Sequence, residues 1–145
     1  MNAGFNLKDL PPVLLPVVAL FLTTGLALVI TILAAASLRL TIVGCTGSGA
    51  VLAGIAVRKA PDTLRRYIRS RLLAGLLAGL AATGAYDLTR FGVASVASLS
   101  FKPFHLIEVF GQMLVGERAP HWAIIAAGVT YHVCNGTTFG IAYLL

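Results

Sequence analysis

Long apolar segments separated by short polar ones predict helices that cross a membrane. The apolar segments lie at about residues 13–37, 40–57, 72–97 and 121–144. About 20 predominantly apolar residues suffice for a helix to span a bilayer. Within residues 101–120, His105, Glu108 and Gln112 share one helical face opposite apolar side chains, which is typical of a helix in the membrane interface. The pattern predicts an all-α integral membrane protein with four transmembrane helices and a short amphipathic interfacial helix between the third and the fourth.

Two segments have an alternative interpretation. Three alanines at positions 34–36 resemble the cleavage site of a secretory signal, but the apolar run before them is longer than the ~7–15 residues of a signal core. We therefore expect a retained first span. Residues 44–49 superficially resemble a phosphate-binding loop, yet they lack the lysine of that motif. Their glycines favour close helix packing instead.

Composition supports a membrane protein and a single domain over residues 1–145. Hydrophobic residues make up 58% of the chain and charged residues 11%, against roughly 25% charged residues in soluble domains. A chain of this length holds one small bundle of spans. Cys45 and Cys134 lie in apolar segments without a Cys-x-x-Cys spacing, so we expect no disulfide framework.

The net charge of +6 is concentrated between residues 58 and 71. Six of the eleven lysines and arginines lie there: Arg58, Lys59, Arg65, Arg66, Arg69 and Arg71. Because basic loops are retained in the cytoplasm, we expect a cytoplasmic loop at 58–71, cytoplasmic termini and an outer segment at 101–120. Asp62 is expected to cap a short helix in this loop, lying on anionic lipid. Membrane lipids, and not nucleic acid, are the partners that this charge indicates.

Small residues recur one helical turn apart in the third and fourth spans. The rows are Gly75, Gly79, Thr83 and Asp87 in one span and Gly128, His132, Gly136 and Gly140 in the other. Glycine at every fourth position lets membrane helices approach closely. With a rise of ~1.5 Å per residue, antiparallel spans would bring the rows level, with His132 opposite Thr83 and Asp87 facing Gly128.

Ionisable and polar side chains on and beside these rows form a predicted ligand or proton site. Its residues are Thr83, Asp87, Arg90, Tyr131, His132 and Asn135. Ionisable groups are costly in hydrocarbon, so they mark a functional site or a buried partner. Asp87 and Arg90, three residues apart, are expected to pair. The alternative is purely structural: that pair locks the helix register, and the polar side chains of the last span hydrogen-bond between helices.

A second candidate site is predicted on the outer surface. His105 and Glu108, with Glu117 and His121 nearby, would form a carboxylate and imidazole cluster able to hold a metal. Their spacing is not a known metal signature, and such surface side chains are more often solvated. The sequence has no nucleophile elbow and no His-Glu-x-x-His motif. A metal or haem cofactor therefore has weak support, and the sequence does not define an enzyme.

Three classes of function fit these features. The first is a small oligomeric membrane protein whose polar site binds or relays a proton, an ion or a small polar solute, as in transport or permeation. The second is an accessory or scaffolding subunit of a larger membrane complex. The third is a metal- or haem-binding component of a membrane enzyme. Convergence of an acid, a base and an imidazole on one patch favours a functional over a purely structural role for the polar site, and we take the first class as the main hypothesis.

The basic segment generates a prediction about orientation. In intact cells, a cysteine introduced near Arg65 should be protected from an impermeant thiol reagent, and one near Glu117 should be labelled, because basic segments stay in the cytoplasm. Labelling near Arg65 without labelling near Glu117 would show that the expected orientation is wrong.

Overall fold

The chain folds as a bundle of helices. The computed structural model describes residues 11–97 and 104–145. The described part contains α1 (Leu14–Ala34), α2 (Leu38–Lys59), α3 (Asp62–Val96), α4 (His105–Val115) and α5 (His121–Leu144). The prediction of an all-helical protein is confirmed, and α1, α2 and α5 closely follow the predicted apolar segments. Residues 101–103 of the predicted interfacial segment lie outside the described residues.

Three of the described helices, α1, α2 and α3, are long and apolar enough to cross a membrane, which suggests a membrane protein. Their outer faces carry exposed apolar side chains; Leu33 is 82% exposed and Val96 is 89% exposed. Soluble monomers rarely expose extended apolar surface. The helix α5 has 24 residues but does not reach the same hydropathy, because it contains histidine, asparagine and threonine side chains. Three helices, and not the four expected, therefore satisfy the requirements for a span.

The predicted loop at residues 58–71 is mostly helical. Only residues 60–61 separate α2 from α3. Pro61 occupies the N-cap position and supplies no side-chain cap, so the expected cap by Asp62 is wrong. Asp62 instead opens the helix and forms an exposed ion pair with Arg65 at 2.8 Å. Arginine has a high helix propensity, which explains why the basic segment joins α3 without a break.

One end of the bundle gathers the basic residues and the ends of several helices. Leu14 of α1, Ala53 of α2 and Ile68 of α3 belong to one core cluster, against which Leu145 also packs. The links between α1, α2 and α3 are short, and the cluster contains the start of α1, the end of α2 and the start of α3. Therefore α1 and α3 run in one direction, and α2 and α5 run in the other. The start of α1 and the end of α5 therefore lie at the basic end.

The helix α5 is central, since it packs against α1, α3 and α4, while α2 packs mainly on α1. The α1–α2 interface is closed by small and hydroxyl side chains. Ala27 has no exposed surface, and the hydroxyls of Thr31 and Thr41 lie 2.7 Å apart. Hydrogen bonds of this kind between membrane helices average about 0.6 kcal/mol each.

Glycines bring the backbones of α3 and α5 into contact. A Cβ atom added at Gly140 would lie 2.5 Å from Cα of Gly79 and 2.6 Å from the carbonyl oxygen of Gly75. One added at Gly79 would lie 2.7 Å from Cα of Thr137. Neither position has room for a methyl group. The two helices are antiparallel, and their small residues allow this approach.

The two rows interlock with a different register from the one predicted. Gly140 fits between two glycines of α3 and not opposite one of them, as expected when the residues of one helix enter the gaps of another. The offset places Gly136 against Thr83 and His132 against Asp87. The predicted pairings of Thr83 with His132 and of Asp87 with Gly128 are therefore wrong.

Gly128 contacts α4 instead. A Cβ atom at Gly128 would collide with the carbonyl oxygen of Ile107, and one at Gly111 with the carbonyl oxygen of Ile124. These two contacts align α4 antiparallel to the first half of α5. The amphipathic helix therefore packs along the bundle, and its backbone occupies the face of α5 that was expected to meet Asp87.

The glycine contacts predict a sharp difference between two substitutions on α3. Gly79→Ala should lower the free energy of unfolding by about 1–3 kcal/mol, because the new methyl group meets backbone atoms that cannot move aside. Gly84→Ala is the matched control, since nothing lies within 4 Å of its added Cβ; it should be neutral or stabilise the protein by about 0.5–1 kcal/mol. Reversible unfolding in detergent micelles measures both. Equal stabilities of the two variants would contradict the close α3–α5 contact.

Candidate functional site

An ionisable pair, His132 and Asp87, joins α5 to α3. Nε2 of His132 lies 2.9 Å from Oδ2 and 3.1 Å from Oδ1 of Asp87. The side chains are 18% and 24% exposed, respectively. An ionised carboxylate only accepts hydrogen bonds, so when Asp87 is ionised Nε2 of His132 is the donor of this contact.

Arg90 lies one turn beyond Asp87 on α3. Its guanidinium is 5.3 Å from the centroid of the Tyr86 ring, a distance at which a cation is attracted to an aromatic face. Asp87, which was expected to pair with this arginine, is in direct contact with His132. The acid, the base and the imidazole nevertheless lie on adjoining turns of two packed helices.

A cavity of about 930 Å³ lies beside this pair, bounded by α1, α3, α4 and α5. Its hydrogen-bonding side chains are Thr83, Tyr86, Arg90, His132, Asn135 and Tyr143, and the remaining lining is apolar or glycine. Its volume is at the upper end of the ~300–1,000 Å³ found for small-molecule sites, which are mostly apolar with a few polar groups. The arrangement can therefore hold a small molecule against an imidazole and a guanidinium.

Four of the six predicted site residues line this cavity, and the other two lie behind it. Thr83, Arg90, His132 and Asn135 are in the lining. Asp87 reaches the cavity through its contact with His132. Tyr131 is only 5% exposed; its hydroxyl donates to the carbonyl oxygen of Thr24 at 2.9 Å, and its ring packs against the ring of Phe110 at a steep angle. Tyr131 therefore holds α5 against α1 and α4.

Thr24 of α1 positions Asn135 at the cavity wall. Its hydroxyl donates to Oδ1 of Asn135 at 2.8 Å and lies 3.0 Å from the hydroxyl of Thr138. A Cβ atom at the adjacent Gly25 would contact the ring of Phe139, so α1 approaches α5 closely at this level. These contacts fix the orientation of a cavity-lining amide from outside its own helix.

The predicted outer cluster is only partly assembled. Nδ1 of His105 lies 3.8 Å from Glu108, and Nδ1 of His121 lies 4.0 Å from the same carboxylate. Glu117, the fourth predicted member, is exposed in the turn before α5. Within residues 11–97 and 104–145, no group of three or more His, Cys, Asp or Glu side chains is arranged to hold a metal ion.

Sequence reasoning missed two contributions to the cavity. The first is Thr24, whose signal was the Thr-Thr-Gly run at 23–25 inside an otherwise apolar span. The second is the apolar face of α4, from which Leu106 and Phe110 enter the lining. The sequence predicted an interfacial helix and no contact of this face with the bundle, which forms because Gly111 and Gly128 allow α4 to approach α5.

Comparison of the chain with protein-family models, with curated proteins and with solved structures finds no match. The function is therefore inferred from the geometry of the site.

The hydrogen bonds of Thr24 predict a loss of stability when its hydroxyl is removed. Thr24→Val should lower the free energy of unfolding by about 1 kcal/mol, because the valine leaves the Asn135 carbonyl without its donor. Thr130→Val is the control, since that exposed hydroxyl donates only within α5, to the carbonyl of Ala126. Unfolding in detergent measures both. A Thr24 variant as stable as the control would contradict the proposed positioning of Asn135.

Proposed function

We propose that this chain is a small integral membrane protein that binds a small solute in the cavity and relays a proton through the His132–Asp87 pair, as in transport or permeation. The single observation that carries the proposal is the 2.9 Å contact between Nε2 and Oδ2 at the wall of a cavity of about 930 Å³. Ionisable groups placed this way inside an apolar bundle mark proton and solute pathways in membrane proteins.

The chemistry of the pair suits proton exchange near neutral pH. Imidazole is the side chain whose ordinary pKa lies closest to physiological pH. Asp87 holds one ring nitrogen by a hydrogen bond, which orients the ring and leaves the other nitrogen to take up or release a proton. The other charged or titratable groups beside the cavity are Arg90 and Tyr86 on α3 and Tyr143 on α5.

The proposed membrane arrangement has four spans, with α5 as the fourth. The helix α5 lies between α1 and α3, which supports its insertion with them despite its polar residues, since polar groups in a bundle interior are tolerated. The exposed basic residues at one end favour a cytoplasmic position for that end. Both chain termini would then be cytoplasmic, and α4 would lie in the outer half of the bundle.

A second candidate is assembly with further copies or with a larger membrane complex. One face of α2 carries Leu40, Gly44, Gly47, Val51 and Gly54, all of them exposed. Cβ atoms added at the three glycines would meet nothing within 4 Å. Glycines at such spacing form helix contacts in membranes, so this face favours a partner helix. Such assembly is compatible with a site inside each bundle.

The relay generates a prediction for vesicles containing the purified protein. His132→Ala should slow the collapse of an imposed pH gradient roughly tenfold or more, because it removes the group that exchanges the proton. His105→Ala, which alters an exposed histidine outside the cavity, is the matched control and should keep the wild-type rate. A pH-sensitive dye trapped in the vesicles measures the flux.

Asp87→Asn separates a relay from a purely structural role. The amide oxygen of asparagine can accept the hydrogen bond from Nε2, so the variant should keep most of its stability while losing proton flux. Thermal unfolding of each variant is measured in parallel. A His132→Ala protein that folds and conducts protons like the wild type would overturn the proposal in favour of an accessory subunit.

A further inference from the structure

Two exposed aromatic side chains lie near the ends of α5. Trp122 is 74% exposed and Tyr143 is 89% exposed, and α5 rises about 32 Å between them at ~1.5 Å per residue. That distance matches the ~30 Å thickness of the hydrocarbon core of a bilayer, and tryptophan and tyrosine are enriched at its two edges. In a bilayer, Tyr143 therefore fits the edge of the hydrocarbon core at the basic end.

The arginines at the start of α3 lie just outside this edge. A Cβ atom added at Gly75 would lie 2.5 Å from Cα of Ile141, so α3 and the antiparallel α5 are level at this point. Tyr143 lies two residues farther along α5, and Arg71 and Arg69 therefore lie about 3 and 6 Å beyond its level. Head groups add about 5–8 Å to each side of the hydrocarbon core. Both arginines are thus at the depth of the lipid phosphates.

Four further basic residues lie in the same layer or about one helical turn beyond it. Two of them precede these arginines by about one turn in α3. The other two end α2, about 8–9 Å past Ala53, which belongs to the core cluster at this end. Their side chains are long enough to extend along the helix towards the phosphates. The basic patch formed in this way comprises Arg58, Lys59, Arg65, Arg66, Arg69 and Arg71, all of them exposed.

Within the described residues, little negative charge offsets the basic patch. Asp62 pairs with Arg65 at 2.8 Å, and no ion pair in the described part of the chain joins another member of the patch to an acid. The guanidinium of Arg71 lies 5.3 Å from the centre of the Tyr67 ring, a contact that orients it without neutralising its charge. Five of the six members are arginines, and a guanidinium matches a phosphate through two parallel hydrogen bonds. The patch therefore matches a layer of anionic phosphate groups.

We propose that the basic patch binds anionic phospholipids of the adjacent membrane leaflet, with their phosphates at the guanidinium groups and their acyl chains against exposed leucines such as Leu52 and Leu77. A zwitterionic lipid carries a cation beside its phosphate, which the patch repels, so the patch prefers lipids with a net negative charge. The sequence predicted a basic loop with a short helix lying on the lipid surface, whereas the continuous α3 carries the charges at the depth of the phosphates. This inference depends on insertion of the helices in a membrane and not on the proton relay.

Nanodiscs with equal amounts of phosphatidylglycerol and phosphatidylcholine test the inference. Native mass spectrometry of the protein released from them counts the lipids of each kind that stay bound. We expect the wild type to retain phosphatidylglycerol in preference to phosphatidylcholine by roughly fivefold or more, the factor for a single lysine or arginine near an anionic surface. The double variant Arg58→Gln, Arg69→Gln removes one charge from each helix of the patch and should lose most of this preference.

Two further double variants serve as controls. Arg39→Gln, Arg118→Gln removes the same charge from exposed residues at the opposite end of the bundle and should keep the preference. Arg58→Lys, Arg69→Lys keeps the charge of the patch and should retain more of the preference than the glutamine variant, which a loss caused by misfolding would not show. Thermal unfolding of every variant is measured in parallel.

Three outcomes would overturn the inference. The first is equal retention of the two lipids by the wild type, and the second is an equal loss of preference in the glutamine variants of the two ends. The third is binding of a single-stranded RNA oligonucleotide to the protein in phosphatidylcholine nanodiscs that the Arg58→Gln, Arg69→Gln variant loses, because the patch would then bind nucleic acid. Proton flux in vesicles of phosphatidylcholine alone tests the relay separately, so either proposal can fail while the other stands.

Discussion

The contact between the backbones of α3 and α5 determines which polar groups of these two helices meet in the site. At Gly79 and Gly140 the two helices are so close that neither position has room for a methyl group. Helices in such contact cannot slide past each other without separating, because the atoms of each fill the gaps of the other. His132 lies about two helical turns before Gly140 in α5. Its pairing with Asp87 follows from this fixed register.

Hydrogen bonds fix the position of α5 among its neighbouring helices. Its Tyr131 and Asn135 bond to α1, and its His132 bonds to α3. Lipid tails are as apolar as leucine, so apolar side chains alone give little preference for one helix arrangement over another in a membrane. Tight glycine packing and directional hydrogen bonds supply that preference. The polar residues that lower the hydropathy of α5 are therefore those that hold it in the bundle.

Much of the fold was predictable from the sequence because it depends on local patterns. Apolar runs fixed the extents of α1, α2 and α5, and the glycine rows identified the faces on which α3 and α5 meet. The register of those rows was not predictable from spacing alone, since it depends on how Gly140 fits between two α3 glycines. The position of α4 was missed for a similar reason: its docking depends on Gly111 and Gly128, which lie in different helices.

Among the site residues, Asp87 and His132 were recognisable from the sequence as ionisable groups in apolar segments. Thr24 acquires its role only when α1 packs on α5.

The unbroken length of α3 has a mechanical consequence. The helix has 35 residues, and Gly79 is its middle residue, with about 26 Å of helix on either side at ~1.5 Å per residue. The close backbone contact with α5 at Gly79 is therefore at the midpoint of a stiff rod. If the rod tilts about that contact, its first turns at Asp62 and its last turns at Val96 move by similar amounts in opposite directions. A displacement of the basic segment at residues 65–71 would thus move Arg90 in the other half of the helix, so the helix can act as a lever between them.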